Sequence, residues 1–199
     1  FFGQKKLLPG HSIHTSIFRL LILKYIFLSM KPIIAGFCAL MLIAFSCENA
    51  DHEALKALET TLHQLEANLQ MYERVWDDIV NKRQIDQINE EHFDKQVILV
   101  TSPENIVGID GFKAYYNNYL TGFSEVTFTI LDAFGQGDKI VKHWRFQGKH
   151  TGDFFGIPPT GKIVDVEGVT LVKMKDGKIA QEQDFFDNLV FYQQLGLTE

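Results

Sequence analysis

GKHTGDFFGIPPTGK, residues Gly148 to Lys162, is the stretch on which the reading of the chain turns. Four glycines, two adjacent prolines and two threonines cannot make a regular element, because glycine frees the backbone while proline fixes φ and removes a donor. The stretch is a shaped loop between two strand-like runs, Lys139 to Gln147 and Ile163 to Lys175, and it holds the ionisable His150 at the junction. Together with Asp184 and Asp187 further on, that histidine points to a small acid/base site. A long hairpin also needs glycine and proline for its own sake, and His150 then only caps a strand end.

Outward from this loop the pattern is consistent. Lys175-Asp176-Gly177-Lys178 is a hairpin turn into a last strand, Ile179 to about Asn188, and Leu189 to Leu195 ends the chain as a short helix capped by Gly196. Before the loop, Val126, Phe128 and Ile130 alternate with Thr127 and Thr129, the period of a strand. Earlier still the period is helical. Phe112, Tyr115, Tyr116, Tyr119 and Leu120 form one stripe within Ile109 to Phe123, and a shorter helix is expected over Ile85 to Phe93, followed by a strand at Gln96 to Thr101. Leu55, Leu58, Leu62, Leu65, Leu69, Tyr72, Trp76 and Ile79 make a strict heptad stripe. It reads either as a coiled-coil stalk or as an amphipathic helix whose second half, from about Leu69, lies on its own sheet. Helices first and antiparallel strands afterwards give an α+β fold, with 47–68 as a helical spacer and 69–199 as the folded domain.

The first methionine is Met30. From there MKPIIAGFCALMLIAFSC has one Lys31, an uncharged run from Pro32 to Ser46, and Cys47, which is the pattern of a secretory signal. Ala44-Phe45-Ser46-Cys47 resembles a relaxed lipobox, so 30–46 is expected to be a signal peptide and Cys47 the lipidated residue of a lipoprotein of the bacterial cell envelope. An uncleaved anchor is the rival, although the run is short for a spanning helix. Residues 1–29 read as an upstream extension. Removing the five basic residues of 1–46, which has no acidic residue, from the 19 in the chain leaves 14 against 25 acidic ones, a net charge of −11. That balance argues against nucleic acid as a partner. Cys38 and Cys47 are the two cysteines, so a processed chain has no internal disulfide and must rely on its own core.

Three stretches, GKHTGDFFGIPPTGK, DGKIAQEQDFFD (Asp176 to Asp187) and QQLG (Gln193 to Gly196), resemble the SnoaL-like polyketide cyclase family, also labelled ester cyclases, of the nuclear transport factor 2-like fold. GFSEV (Gly122 to Val126) and the helix start at Ile109-Asp110-Gly111 add weaker support, and the likeness covers roughly 70–196. The resemblance implies a cone of helices packed on a strongly curved mixed sheet around an apolar pocket, and association into a homodimer through the outer sheet face. It also implies ring closure by intramolecular aldol condensation, with an aspartate as general acid/base and no metal or cofactor. Asp187 takes the aspartate position, and His150 matches the histidine of the family's Gly-Thr-His-Thr-Gly sequence. Gln183 stands where the family has tryptophan and Lys149 where it has threonine, departures that imply a wider and more polar pocket.

Proton abstraction next to a carbonyl needs a base held in an apolar setting and a donor for the oxyanion. On a regular strand Gln181, Gln183, Phe185 and Asp187 share one face with Ile179, so Asp187 is the expected base, with Gln183 and Phe185 on the pocket wall. A bulge would reverse that assignment, and Asp187 can equally cap the final helix. His150 is the expected donor or orienting group, and Trp144, Tyr116 and Tyr119 the expected aromatic contacts. No metal-ligand spacing, phosphate loop or nucleophile elbow occurs. The expected function is an envelope-anchored protein that binds a small, largely apolar carbonyl compound and carries out cofactor-free acid/base chemistry. The alternative is a non-catalytic ligand-binding or assembly lipoprotein of the same fold.

Overall fold

The computed structural model describes Lys24 and residues 52–198. The run from Pro32 to Ser46, Cys47 and all but Lys24 of the 1–29 extension lie outside the described residues. Among those described, no helix is long and apolar enough to cross a membrane. The chain divides into two compact units, 1–57 and 58–199. Of the first, Lys24 and 52–57 are described, and all are helical.

The second unit opens with helix α1, 58–80. Its leucine stripe divides in two: Leu58 and Leu62 are exposed, Leu65 and Leu69 are half-buried against the core, and Tyr72, Val75, Trp76 and Ile79 are buried. The short helix expected over 85–93 is only a 3₁₀ turn, Ile85–Gln87. Asn89 ends it: its carbonyl accepts from the amides of His92 and Phe93, and its side chain binds the carbonyl of Asp86 and the amide of Glu91. Phe93 then enters strand β1 (Phe93–Leu99), which starts three residues earlier than the sequence pattern indicates. Short β2 (Ile106–Val107) follows, then α2 (Ile109–Gly122), β3 (Phe123–Gln136), β4 (Lys139–His150), β5 (Ile163–Lys175), β6 (Lys178–Phe186) and α3 (Asn188–Leu195).

The strands form one six-stranded sheet in the order β2-β1-β6-β5-β4-β3. β1 and β6 pair in parallel and the other neighbours antiparallel, so the sheet is mixed. Ile140, Lys142, Trp144 and Phe146 on β4 and Val164, Val166, Thr170 and Val172 on β5 point to one buried face, which α1 and α2 cover. Period-two alternation holds along both strands, so the sidedness of these residues follows directly from sequence.

Two details position the site. On β6, Ile179 pairs with Met174 but Gln181 pairs with Lys173, so Ala180 is one residue extra, a bulge. Across β4 and β5, Gly168 faces Trp144, and a Cβ there would lie 2.4 Å from the indole and 2.7 Å from the carbonyl of Phe185. Only glycine lets the indole lie flat across the strand. At the far end Gln194 of α3 accepts from the amide of Asp165 at 2.7 Å and donates to its carbonyl at 2.9 Å, a side-chain clamp that ties the QQLG ending to β5.

Replacing Gly168 with alanine forces the Trp144 ring to move. We expect a loss of about 1–3 kcal/mol, as for other overpacked sites, together with a changed Trp144 environment, read by urea unfolding and near-ultraviolet circular dichroism.

Candidate functional site

Between the buried sheet face and the two covering helices lies a cavity. Trp76, Ile79 and Val80 of α1, Tyr116, Tyr119 and Leu120 of α2, and Phe128, Lys142, Trp144, Phe146, Val166, Asp184 and Phe186 of the sheet line it, with Phe191 of α3. The lining is almost wholly apolar and aromatic, with two charged side chains, Lys142 and Asp184. The cavity volume is about 60 Å³, room for a few waters or a narrow fragment; a larger ligand would enter by moving aromatic rings.

The polar side of the cavity is one hydrogen-bonded network. Glu182 has no exposed surface. Its Oε1 accepts from the hydroxyl of Tyr72 at 2.7 Å and the indole N–H of Trp76 at 2.9 Å. The hydroxyl of Tyr116 lies 3.0 Å from Glu182 Oε2 and 2.8 Å from Asp184 Oδ2. A hydroxyl has one proton, so it cannot donate to both. All contacts are satisfied when Tyr116 donates to Asp184 and a protonated Glu182 donates back to the Tyr116 oxygen. Burial pushes the Glu182 carboxyl up to about 7, against the opposing pull of Lys142. On the other side Asp184 accepts from Thr170, which accepts from the indole N–H of Trp144 at 2.9 Å. The result is a continuous relay, Glu182 to Tyr116 to Asp184, buried beneath the aromatic wall. Burial, with the neighbouring carboxylates adding to it, drives the Tyr72 and Tyr116 hydroxyls well above the usual tyrosine range, so both remain donors.

Lys142 faces this relay. Its Nζ lies 4.4 Å from the ring centre of Trp76, 5.1 Å from Tyr72 and 5.2 Å from Phe128. Burial lowers its pKa, and Glu182 and Asp184 pull in the opposite direction. Among the described residues no group of three His, Cys, Asp or Glu side chains converges as a metal site.

The structure places three of the sequence-predicted pocket residues, Trp144, Tyr116 and Tyr119, in the cavity wall. The others lie elsewhere. Asp187 is exposed and is the N-cap of α3, its carboxylate accepting from the amide of Val190 at 3.0 Å. Phe185 is half exposed, and Gln183 pairs across from Leu171, both on the outer face. The physical reason is the Ala180 bulge: it turns the strand by one residue, so that Glu182, Asp184 and Phe186 point inwards. Tryptophan or glutamine at 183 therefore does not set the width of this cavity. His150 is fully buried at the end of β4, packed on Phe123 at 5.2 Å and Phe154 at 6.2 Å, and it is not part of the cavity lining. Its Nδ1 accepts from the amide of Thr160, which ties the central loop to the strand. Glu182 and Lys142 are the groups that the sequence reading left without a role. The signal for Lys142 was present: a lysine among Ile140, Trp144 and Phe146 on one strand face must bury its ammonium, and a buried ammonium calls for acids nearby.

Residues 67–195 match the family described as SnoaL-like polyketide cyclase. A curated relative, aklanonic acid methyl ester cyclase DnrD of Streptomyces peucetius, is 41% identical over 49 residues, 25% of this chain and 34% of the relative, so the match spans about a third of that relative's length. Among solved structures, a candidate SnoaL-like polyketide cyclase from Jannaschia sp. CCS1 superimposes with a TM-score of 0.62 at 24% identity, covering 68% of this chain and 95% of the other. An NTF2-like protein of unknown function from Burkholderia pseudomallei K96243 gives 0.54 at 13% identity, covering 65% and 97%. These two likenesses show the fold: nuclear transport factor 2-like, α+β, with a mixed and mainly antiparallel open sheet.

The raised Glu182 pKa makes a stability prediction. The folded chain keeps a proton that the unfolded chain releases between the ordinary value of 4.5 and about 7. The contribution is therefore full below the unfolded pKa and is lost as pH rises through about 7. Between about pH 5 and about pH 8 the native chain should lose roughly 2–3 kcal/mol from this group. Glu182→Gln, which cannot ionise, should lose correspondingly less over the same interval, as measured by urea unfolding of both chains.

Proposed function

The chain belongs to the SnoaL-like polyketide cyclase family, and on that footing we propose that its cavity binds a small, largely apolar carbonyl compound and acts on it by acid/base chemistry without a cofactor, as an aldol-type cyclisation or an isomerisation. The observation that carries this reading is the Glu182–Tyr116–Asp184 relay set into an apolar wall. Asp184 is the residue proposed to take a proton from the carbon next to the carbonyl. Once Asp184 holds the ligand's proton it no longer requires the Tyr116 hydroxyl as a donor, and Tyr116, backed by Glu182, is then proposed to pass a proton to the developing oxygen. The likeness to cyclases, one of which acts on a methyl ester by its name, supports the same class of ligand.

A binding protein without turnover is the second reading, favoured by the exposed, helix-capping position of Asp187. The two part on one measurement. Deuterium exchange at the carbons next to the carbonyl of cyclohexanone, followed by nuclear magnetic resonance, should be catalysed by the native chain and slowed by at least ~10²-fold in Asp184→Asn. Asp187→Ala should retain the exchange rate while losing about 1 kcal/mol of stability with its cap. Binding of the ketone without any exchange would establish the second reading instead.

The proposal includes the envelope location that the sequence signals at 30–47 support, and pairing of two chains through the outer sheet face, where Leu171 and Phe185 remain exposed. Expressed in a bacterium from Met30, the chain should incorporate labelled fatty acid, and Cys47→Ala should abolish it; unchanged labelling of the variant would remove the lipoprotein reading.

A further inference from the structure

We propose that Lys142 is a second reactive group of this cavity, an amine that captures the carbonyl carbon of a small aldehyde or ketone as an imine. The proposal rests on the reading above only in its choice of a carbonyl ligand; it needs no proton abstraction by Asp184.

Four observations converge on it. First, Lys142 is 3% exposed and lines the cavity, so a ligand that enters meets its Nζ. Second, its direct neighbours are rings, those of Trp76, Tyr72 and Phe128; among the described residues no carboxylate is within ion-pairing distance to hold the group as a fixed ammonium. Third, a buried acid, Glu182, reaches the cavity through the hydroxyl of Tyr116, which also binds Asp184. Fourth, burial increases the fraction of free amine relative to a surface lysine. The titratable groups facing it are Glu182 and Asp184 from β6, Tyr72 from α1 and Tyr116 from α2, while β3 and β5 present Phe128 and Val166 to the cavity.

The step balances without an outside reagent. The lone pair of neutral Nζ attacks the carbonyl carbon, and the C=O π pair moves to oxygen, which takes a proton. Nitrogen loses a proton to give the neutral carbinolamine. The hydroxyl then takes a second proton and leaves as water, and the C=N bond forms as a cationic iminium. In sum, amine, carbonyl and one proton give iminium and water. Glu182 can supply that proton through the Tyr116 hydroxyl, which lines the cavity, and the positive charge stays over the Trp76 ring, where a cation is favoured. The narrow, apolar lining restricts the ligand to an uncharged aldehyde or ketone.

The test uses the full chain with a limiting amount of propanal and sodium cyanoborohydride near neutral pH, followed by digestion and mass mapping. A surface lysine has on the order of 10⁻³ to 10⁻⁴ of its amine free at pH 7. Lys142, held in the cavity where the aldehyde binds and with more of its amine free, is expected to carry the reduced adduct ahead of the exposed Lys139 and Lys173. Asp184→Asn should keep the adduct even where it loses exchange, and Lys142→Arg should lose it from that peptide alone. Adducts on exposed lysines with Lys142 unmodified in the native chain would overturn the proposal, whatever the outcome for exchange.

Discussion

A carboxyl group with no contact with water, that of Glu182, constrains everything packed around it. Burying such a group without partners costs several kcal/mol, so donors must be brought to it, and they come from elements other than β6. Tyr72 and Trp76 come from α1 and Tyr116 from α2. Trp76 and Tyr72 are also the largest fully buried side chains and Tyr116 packs against the core, which means that the apolar packing and the polar network are made by the same residues. Displacing either helix would open the core and remove part of the hydrogen bonding of Glu182 at once. That coupling explains why a network of this size is tolerated in an otherwise aromatic interior.

The charge balance of the cavity follows from the same group. Lys142 carries a cation into the interior, and two carboxyls face it. If both were ionised the site would hold one excess negative charge in a medium of low dielectric. Keeping the proton on Glu182 lowers the negative charge that faces Lys142, and the rings of Trp76, Tyr72 and Phe128 surround its Nζ. The second arm of the network, Trp144 to Thr170 to Asp184, depends on the indole lying across Gly168. A strand glycine, a weak point for the sheet by itself, here sets the orientation of a hydrogen-bond donor.

Much of the fold was legible because it rests on period and punctuation. The alternation along β4 and β5, the Asp176-Gly177 turn and the aromatic stripe of α2 stand where the sequence indicated. The capping alternative for Asp187 was legible too, since an aspartate immediately before a helix is a cap by its chemistry. What remained hidden had no local sign. The helix expected after α1 failed because Asn89 offers its side chain to the backbone and competes with helical hydrogen bonds. The inward face of β6 could not be read because Ala180 gives no hint that it is the extra residue of a bulge. That single insertion moved Gln183 and Phe185 to the outside and brought in Glu182 and Asp184.

A residue's place in a motif and its place in the chemistry are therefore separable in this chain. Asp187 lies where the motif leads, but its carboxylate already accepts from the amide of Val190 and stands in solvent, away from the cavity. Asp184, three residues earlier, sits against aromatic rings with two donors directed at it. A base needs direction from fixed donors and access to the ligand. Among the described residues of β6 and the start of α3, only Asp184 has two side-chain donors directed at it together with a place in the cavity lining. Glu182 is enclosed still more completely, but it reaches a ligand only through Tyr116, and this division of one carboxyl at the wall from one behind it is what makes a relay out of two acids on alternate positions of a strand.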